Sequence, residues 1–327
     1  MNRGVNVEER LCKISEKAQF AMFLDILTPK PGNVHRYRDH PDTRIIHFAA
    51  SITQLIHPLY KAAEWGYQLQ SSSVGSNKLG LLIKRGVQAS MQPHDKNTLL
   101  GTILLLIPLA AAAGNAISTQ KLSKNSLRQS LTQILHNSNV DDAIELVRAL
   151  QIASPGGAIP KSPEWTPHSQ AFDFQSPHTI ALVRRENYTI LDLQALAASY
   201  DSIAQEYTTD FAYTFDALYP QVIIALNRYA RIEDAVLASY LWALSDHPDS
   251  FIQRKGGPKA AQQVMVQAQK IYAHILKTPV RQWHEYVTPF DDDLHSKGSE
   301  LNPGTTADLL TGTIFLTLLL DNIKTIL

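Results

Sequence analysis

Several short polar segments carry residue types suited to holding an anion. Arg254-Lys255-Gly256-Gly257 sets two cations beside two glycines. Arginine offers a planar fork that grips phosphate oxygens in pairs, and glycine lets a ligand approach the backbone. The same cations at a helix end also complement the helix dipole. In Thr28-Pro29-Lys30-Pro31-Gly32-Asn33-Val34, two prolines stiffen the chain on both sides of Lys30, and Gly32 permits close approach. A plain helix stop has the same composition. Asp95-Lys96-Asn97-Thr98 precedes an apolar run, so Asn97 or Thr98 is a candidate N-cap, and the amides beside it can receive a phosphate or carboxylate.

Two carboxylates stand near these segments. In Leu301-Asn302-Pro303-Gly304-Thr305-Thr306-Ala307-Asp308, the spacing of Thr305 and Asp308 predicts a reciprocal capping box, and the turn at Asn302 presents a helix N-terminus to an anion. Asp308 is also a candidate Mg²⁺ ligand, because hard cations bridge carboxylates to phosphates. Asp201 lies in a stripe that includes Leu196 and Ile203. An acid in a helix interior must meet solvent, a cation or a metal, since burial without a partner is costly.

Other chemistries lack sequence support. There is no G-x-x-x-x-G-K-[ST] loop, no G-x-G-x-x-G after a strand, no G-x-S-x-G elbow and no H-E-x-x-H helix. His35, His40 and His47 are irregularly spaced and read as solvated or structural rather than metal-binding. Cys12 is the only cysteine, which rules out an intramolecular disulfide and fits a reducing compartment.

The elements that must position these residues read as helices. Phe20, Phe23, Leu24 and Leu27 recur at three- and four-residue steps, as do Ile45, Phe48, Ile52, Leu55, Ile56 and Leu59, and the stretch from Leu191 to Ile203. Strand-like alternation is nearly absent. The pattern predicts an all-α protein of about a dozen helices, with residues 1–327 forming a single domain and a loop or lid at 154–177 rich in Pro and Ser. The 44% of hydrophobic residues suffice for a sizeable core. Thirty basic residues balance thirty acidic ones, which leaves no global field for a polyanion and argues against a nucleic-acid partner. The apolar run from Leu99 to Gly114, interrupted by Thr102 and Pro108, falls short of the ~20 residues that span a bilayer and reads as a buried helix. With no secretory signal from Met1 to Lys17, the chain reads as cytoplasmic, with no membrane partner; a homodimer is a prior from the frequency of closed symmetric assemblies.

In chain order, TPKPGNV at Thr28 to Val34, NTLLGTILLLIPLA at Asn97 to Ala110, SPGG at Ser154 to Gly157, YDSIAQEY at Tyr200 to Tyr207, DSFIQRKGG at Asp249 to Gly257 and LNPGTTADLL at Leu301 to Leu310 resemble the triphosphoribosyl-dephospho-CoA synthase family, including relatives near one-carbon and pterin cofactor genes. The resemblance implies an all-helical cytoplasmic pentosyltransferase that moves the ribosyl-triphosphate of ATP to 3′-dephospho-CoA or a related precursor, such as a pterin-pathway molecule, and releases adenine. By this resemblance Lys30, Arg254 and Lys255 hold the triphosphate, with Gly32 and Thr305 beside them. Asn97, Thr98 and Asn302 orient the nucleotide, and Asp201 or Asp308 holds Mg²⁺ or stabilises developing positive charge. The general base is unassigned. The chain departs from the family at Asp95 and Lys96, where glycines are usual, at Leu99, and at Tyr200, where arginine is common. A noncatalytic nucleotide-binding homologue and a metal-dependent helical phosphohydrolase are the alternatives.

Overall fold

A computed structural model describes residues 6–69, 77–119, 121–154 and 173–321. Sixteen α-helices occupy them, together with a π-helical turn at Tyr213–Leu218 and a 3₁₀ turn at Val280–Gln282. The described residues contain no strand beyond an isolated bridge between His35 and Arg38, so the all-α expectation holds. The helix count exceeds a dozen because two continuous stripes are interrupted. The first divides at Leu55 into α2 (Ile45–Gln54) and α3 (Ile56–Gln68), where Pro58 has no N–H to offer the Gln54 carbonyl. The second divides into α9 (Ile190–Ala197) and α10 (Ser202–Thr208). Most of the anticipated central loop, at residues 155–172, lies outside the described residues; α7 (Val140–Ala153) ends on Ser154 in the left-handed conformation.

Two nearly all-apolar helices form the centre, α5 (Leu100–Thr119) and α16 (Gly304–Leu320), and they pack on each other and on α1 (Val7–Leu27). By length and composition α5 could cross a membrane, but 83% of its apolar window is buried inside the protein, as anticipated for a core helix. Burial this complete needs close backbone approach, and α3 supplies it. A Cβ added at Gly66 would lie 1.8 Å from the Ala111 carbonyl oxygen, and one at Gly114 would lie 1.9 Å from that of Ala63. Pro108 interrupts the hydrogen-bond ladder of α5 and frees the carbonyl of Leu104 four residues earlier. The buried Tyr207 hydroxyl from α10 donates to that carbonyl at 2.6 Å, so the orphan acceptor fastens α10 against α5.

The buried face of α1 differs from the anticipated one. Leu11, Ile14, Ala18, Ala21, Met22 and Ile26 are buried, whereas Leu27 is 41% exposed. The small residues of this face allow α1 to lie against α3, α5 and α16.

Candidate functional site

The C-terminal turn of α1, the N-terminal ends of α5 and α16, the junction between α9 and α10, and α13 (Ser250–Gly256) converge on a cavity of about 350 Å³. Of the anticipated site residues, Asn97, Thr98, Asp201, Arg254, Lys255, Asn302, Thr305 and Asp308 line it, and Lys30 and Gly32 do not. The cavity is polar where these residues gather. It is apolar along a second wall, where α7 and α9 contribute Leu146, Leu150, Leu193 and Leu196 and the following segment contributes Phe174.

The cationic part of the site is built by α13. Asp249 caps this helix, accepting from the amides of Phe251 at 2.8 Å and Ile252 at 2.9 Å, and Arg254 and Lys255 occupy its last turn. Gly257 follows at φ +89° and Pro258 begins α14 (Pro258–Ile275), the helix end that the Gly-Gly-Pro run implies. Arg254 is held by Asp201 at 2.9 Å and donates to the Tyr200 carbonyl at 3.4 Å and the Ser250 hydroxyl at 3.3 Å. The Lys255 ammonium lies 3.4 Å from the Ser299 hydroxyl and 4.4 Å from the centre of the Phe251 ring.

Asp201 is not an acid inside a helix. It is the N-cap of α10, and one carboxylate oxygen accepts from the amides of Ile203 at 2.9 Å and Ala204 at 3.3 Å while the other meets Arg254. The half-buried Asp201 carboxylate therefore meets a cation, Arg254. Both oxygens are thus already engaged within the protein. Among the described residues no three His, Cys, Asp or Glu side chains are grouped to hold a metal ion.

The anticipated capping box between Thr305 and Asp308 does not form. Helix α16 begins at Gly304 with no cap from its own side chains. Its N-terminus is served from α13, where the second carboxylate oxygen of Asp249 accepts from the Thr306 amide and hydroxyl, both at 2.7 Å. Thr305 instead accepts from the Ser250 hydroxyl at 3.1 Å. One buried carboxylate thus caps two helices and fixes the cationic segment to the start of α16. Burial pushes the Asp249 carboxyl above its usual range, against the pull of the Ile252 amide and the Thr306 donors.

Freed from capping, Asp308 turns into the cavity and accepts from the Thr102 hydroxyl. It fills the space that a side chain at position 101 would take, since a Cβ on Gly101 would lie 2.1 Å from an Asp308 carboxylate oxygen. Burial raises the Asp308 carboxyl to about 7; the Thr102 hydrogen bond opposes the rise, and the negative fields of Asp25 and Asp249 add to it. Such a group changes charge near neutral pH, which suits proton transfer or stabilisation of a developing cation.

Lys30 is completely buried behind the cavity wall, with its ammonium 2.7 Å from Asp25, 3.4 Å from the Asn33 side-chain oxygen and 5.6 Å from the centre of the Tyr240 ring. Asp25 and Asn33 line the cavity in its place. The Pro-Lys-Pro segment fixes a cation, as its composition suggested, but the cation faces a carboxylate inside the protein. Gly32 is likewise turned inward, at φ +78°, where a Cβ would meet Leu294 and Pro303 at 2.8 Å. Its amide donates to Asp291 at 2.8 Å and its carbonyl accepts from His40 at 3.0 Å. The approach that Gly32 permits is thus of protein to protein. His35 and His295 also meet Asp291, at 3.5 Å and 3.0 Å, and burial beside His295 lowers the pKa of His40. His35 and His40 thus have partners within the protein, and His40 also lines the cavity.

Asn97, two positions before the N-cap position Leu99, accepts from the amide of Leu100, the first residue of α5, at 3.3 Å, and Thr98 donates to the Ser51 hydroxyl at 2.9 Å. The side-chain oxygen of Asn302 is buried without a hydrogen-bond partner. Sequence reasoning missed Asp25, Asp249 and Thr102. Asp25 interrupts the run Phe23-Leu24-Asp25-Ile26-Leu27, the same signal that singled out Asp201, and Asp249 stands where a helix N-cap belongs. Thr102 gives no local signal.

A crystal structure of a protein from Archaeoglobus fulgidus, described as a candidate triphosphoribosyl-dephospho-CoA synthase, shares this fold with a TM-score of 0.62 over 84% of this chain and 98% of its own, at 21% identity. No curated protein sequence matches the chain significantly. The family model for CitG, ATP:dephospho-CoA triphosphoribosyl transferase, matches residues 12–325, nearly the whole length over which α1 to α16 build the cavity, and the chain belongs to that transferase family.

Proposed function

We propose that the cavity is the active centre of a ribosyl transfer from ATP to 3′-dephospho-CoA or a closely related cofactor precursor. The glycosidic bond between the ATP ribose C1′ and the adenine N9 breaks with its electron pair on the base. An acceptor hydroxyl oxygen bonds to C1′ and loses its proton, and adenine leaves protonated, so atoms and charge balance. The observation that carries this reading is the gathering of Arg254 and Lys255, the start of α16 and the carboxylates Asp25 and Asp308 around one cavity. Ribosyl transfer from a triphosphate needs cations for the phosphates and negative charge near C1′, where an oxocarbenium-like cation develops.

In this reading Arg254 and Lys255 bind the triphosphate beside the start of α16, where the Thr306 amide already serves Asp249. Asp308, in its ionised form, stabilises the developing cation. Lys30 is a positioning residue that holds Asp25 toward the cavity, and Asn97, Thr98, Asn302 and Thr305 border the nucleotide. Mg²⁺ enters as the ion that ATP carries, and Asp308 and Asp25 are cavity carboxylates that could meet it.

Purified protein incubated with Mg-ATP and an acceptor panel of 3′-dephospho-CoA and pterin precursors should release adenine with one acceptor, as read by chromatography. Arg254→Ala should lose nucleotide affinity, and Asp308→Asn should keep affinity and lose turnover. Tight ATP binding with no adenine from any acceptor would replace this reading with that of a noncatalytic nucleotide-binding homologue.

A further inference from the structure

Among the described residues that build the apolar wall of the cavity stands a polar side chain, Gln194. It lies on α9, is 8% exposed, lines the cavity, and makes no hydrogen bond among the described residues. Around the same wall stand Leu146 and Leu150 from α7, Leu193 from α9, and Phe174. Phe174 is held in place by its carbonyl, which accepts from the Gln151 side chain at 2.9 Å. Its carboxamide borders the cavity, where its donor and acceptor are open to a ligand and a leucine of similar size would offer neither. An unpaired amide in an otherwise apolar pocket is the usual arrangement for fixing the orientation of a flat, mostly apolar ligand with a few polar atoms.

We propose that Gln194 is the base-recognition residue of this cavity, its carboxamide pairing in bidentate fashion with adenine seated against Leu150 and Phe174. Adenine offers an N6 donor beside a ring-nitrogen acceptor, which matches the adjacent acceptor and donor of a glutamine amide. Its two faces suit the leucine and phenylalanine side chains. The chain runs from Gln194 through Tyr200 to Asp201, which holds Arg254, so the base pocket and the cationic segment belong to one continuous wall. The inference rests on the nucleotide reading above and adds to it the contact that selects the base. Both ATP and 3′-dephospho-CoA carry adenine, and the titrations distinguish them.

The test is calorimetric titration of the wild-type protein, Gln194→Leu and Gln194→Glu with Mg-ATP, with N6,N6-dimethyl-ATP and with 3′-dephospho-CoA, alongside the unfolding midpoint of each ligand-free protein. Wild type should prefer ATP over the dimethyl analogue by roughly five- to hundredfold, the range for one bidentate amide–base pair, and Gln194→Leu should erase that preference. Gln194→Glu keeps the acceptor for N6–H, loses the donor to the ring nitrogen, and should bind more weakly than wild type. Weakening confined to ATP assigns the pocket to the donor nucleotide, and weakening confined to 3′-dephospho-CoA assigns it to the acceptor. The ligand-free Gln194→Leu protein should unfold at the same midpoint or higher. A lower midpoint with unchanged affinities makes Gln194 a folding residue and overturns the inference. Variants that bind every ligand as wild type does overturn it while leaving the ribosyl-transfer reading standing; a wild-type protein that binds no adenine nucleotide removes both.

Discussion

Asp308 makes the sharpest test because its charge state links stability to catalysis. The perturbation is Asp308→Asn, which keeps the shape and an acceptor for Thr102 but cannot ionise. Burial lifts the Asp308 carboxyl from its ordinary 3.8 to about 7. Each unit of pKa is worth about 1.36 kcal/mol, so holding the ionised form in the folded protein costs about 4 kcal/mol. The folded-state pKa is raised, so the folded protein binds this proton more tightly than the unfolded chain does. The resulting stability is fully present below about pH 4 and is lost as pH rises through about 7. The asparagine variant lacks this dependence. Urea unfolding of both proteins should therefore diverge, with wild type losing about 2–3 kcal/mol relative to Asp308→Asn between about pH 5 and about pH 8. In parallel, kcat/KM for adenine release should rise with pH through a limb near 7 in wild type, because the ionised carboxylate is the stabilising form. The variant should show no such limb and a rate lower by roughly a hundredfold or more. Stability curves that stay parallel across this range would refute the argument that the cavity holds Asp308 protonated.

Three further perturbations probe how the site is assembled. Asp249→Ala removes the caps of two helices at once and should cost about 2–4 kcal/mol in urea unfolding, given about 1–2 kcal/mol per cap; a loss under about 0.5 kcal/mol counts against the shared cap. Lys30→Met strands Asp25 without its buried partner and should cost about 3–5 kcal/mol, with Asp25→Asn in the same chain recovering more than half. An ATP affinity that collapses while stability holds would return Lys30 to direct phosphate contact. Gly101→Ala pushes a methyl against the Asp308 carboxylate, 2.1 Å away without relaxation. It should lower kcat/KM at least about tenfold even though alanine favours the helix by about 1 kcal/mol; unchanged activity would mean that Asp308 moves aside at no cost.

What the sequence discloses here, and what it conceals, follows from the range of the interaction involved. Helical periodicity is local, so the all-α class and the burial of α5 are legible, as is the helix end at Gly257. Residue type at a polar segment is also local, and eight of the ten anticipated site residues line the cavity. Partner choice is not local. Thr305 and Asp308 have capping-box spacing, yet Asp249, some fifty-seven positions earlier in the chain, takes the Thr306 amide, and Asp308 pairs with Thr102 on another helix instead. Lys30 has the flanking prolines of an anchored cation, but whether the anchored charge faces a ligand or Asp25 depends on how the end of α1 packs. The charges that identify the site are legible by type, whereas the pairings that decide which of them remain available to substrate exist only once the helices meet. Asp201 and Arg254 restrain each other, Lys30 is spent on Asp25, and Gln194 makes no hydrogen bond among the described residues. A carboxamide among apolar side chains is the least conspicuous of these in sequence, because only the assembled cavity shows that its donor and acceptor face a ligand rather than a neighbouring helix.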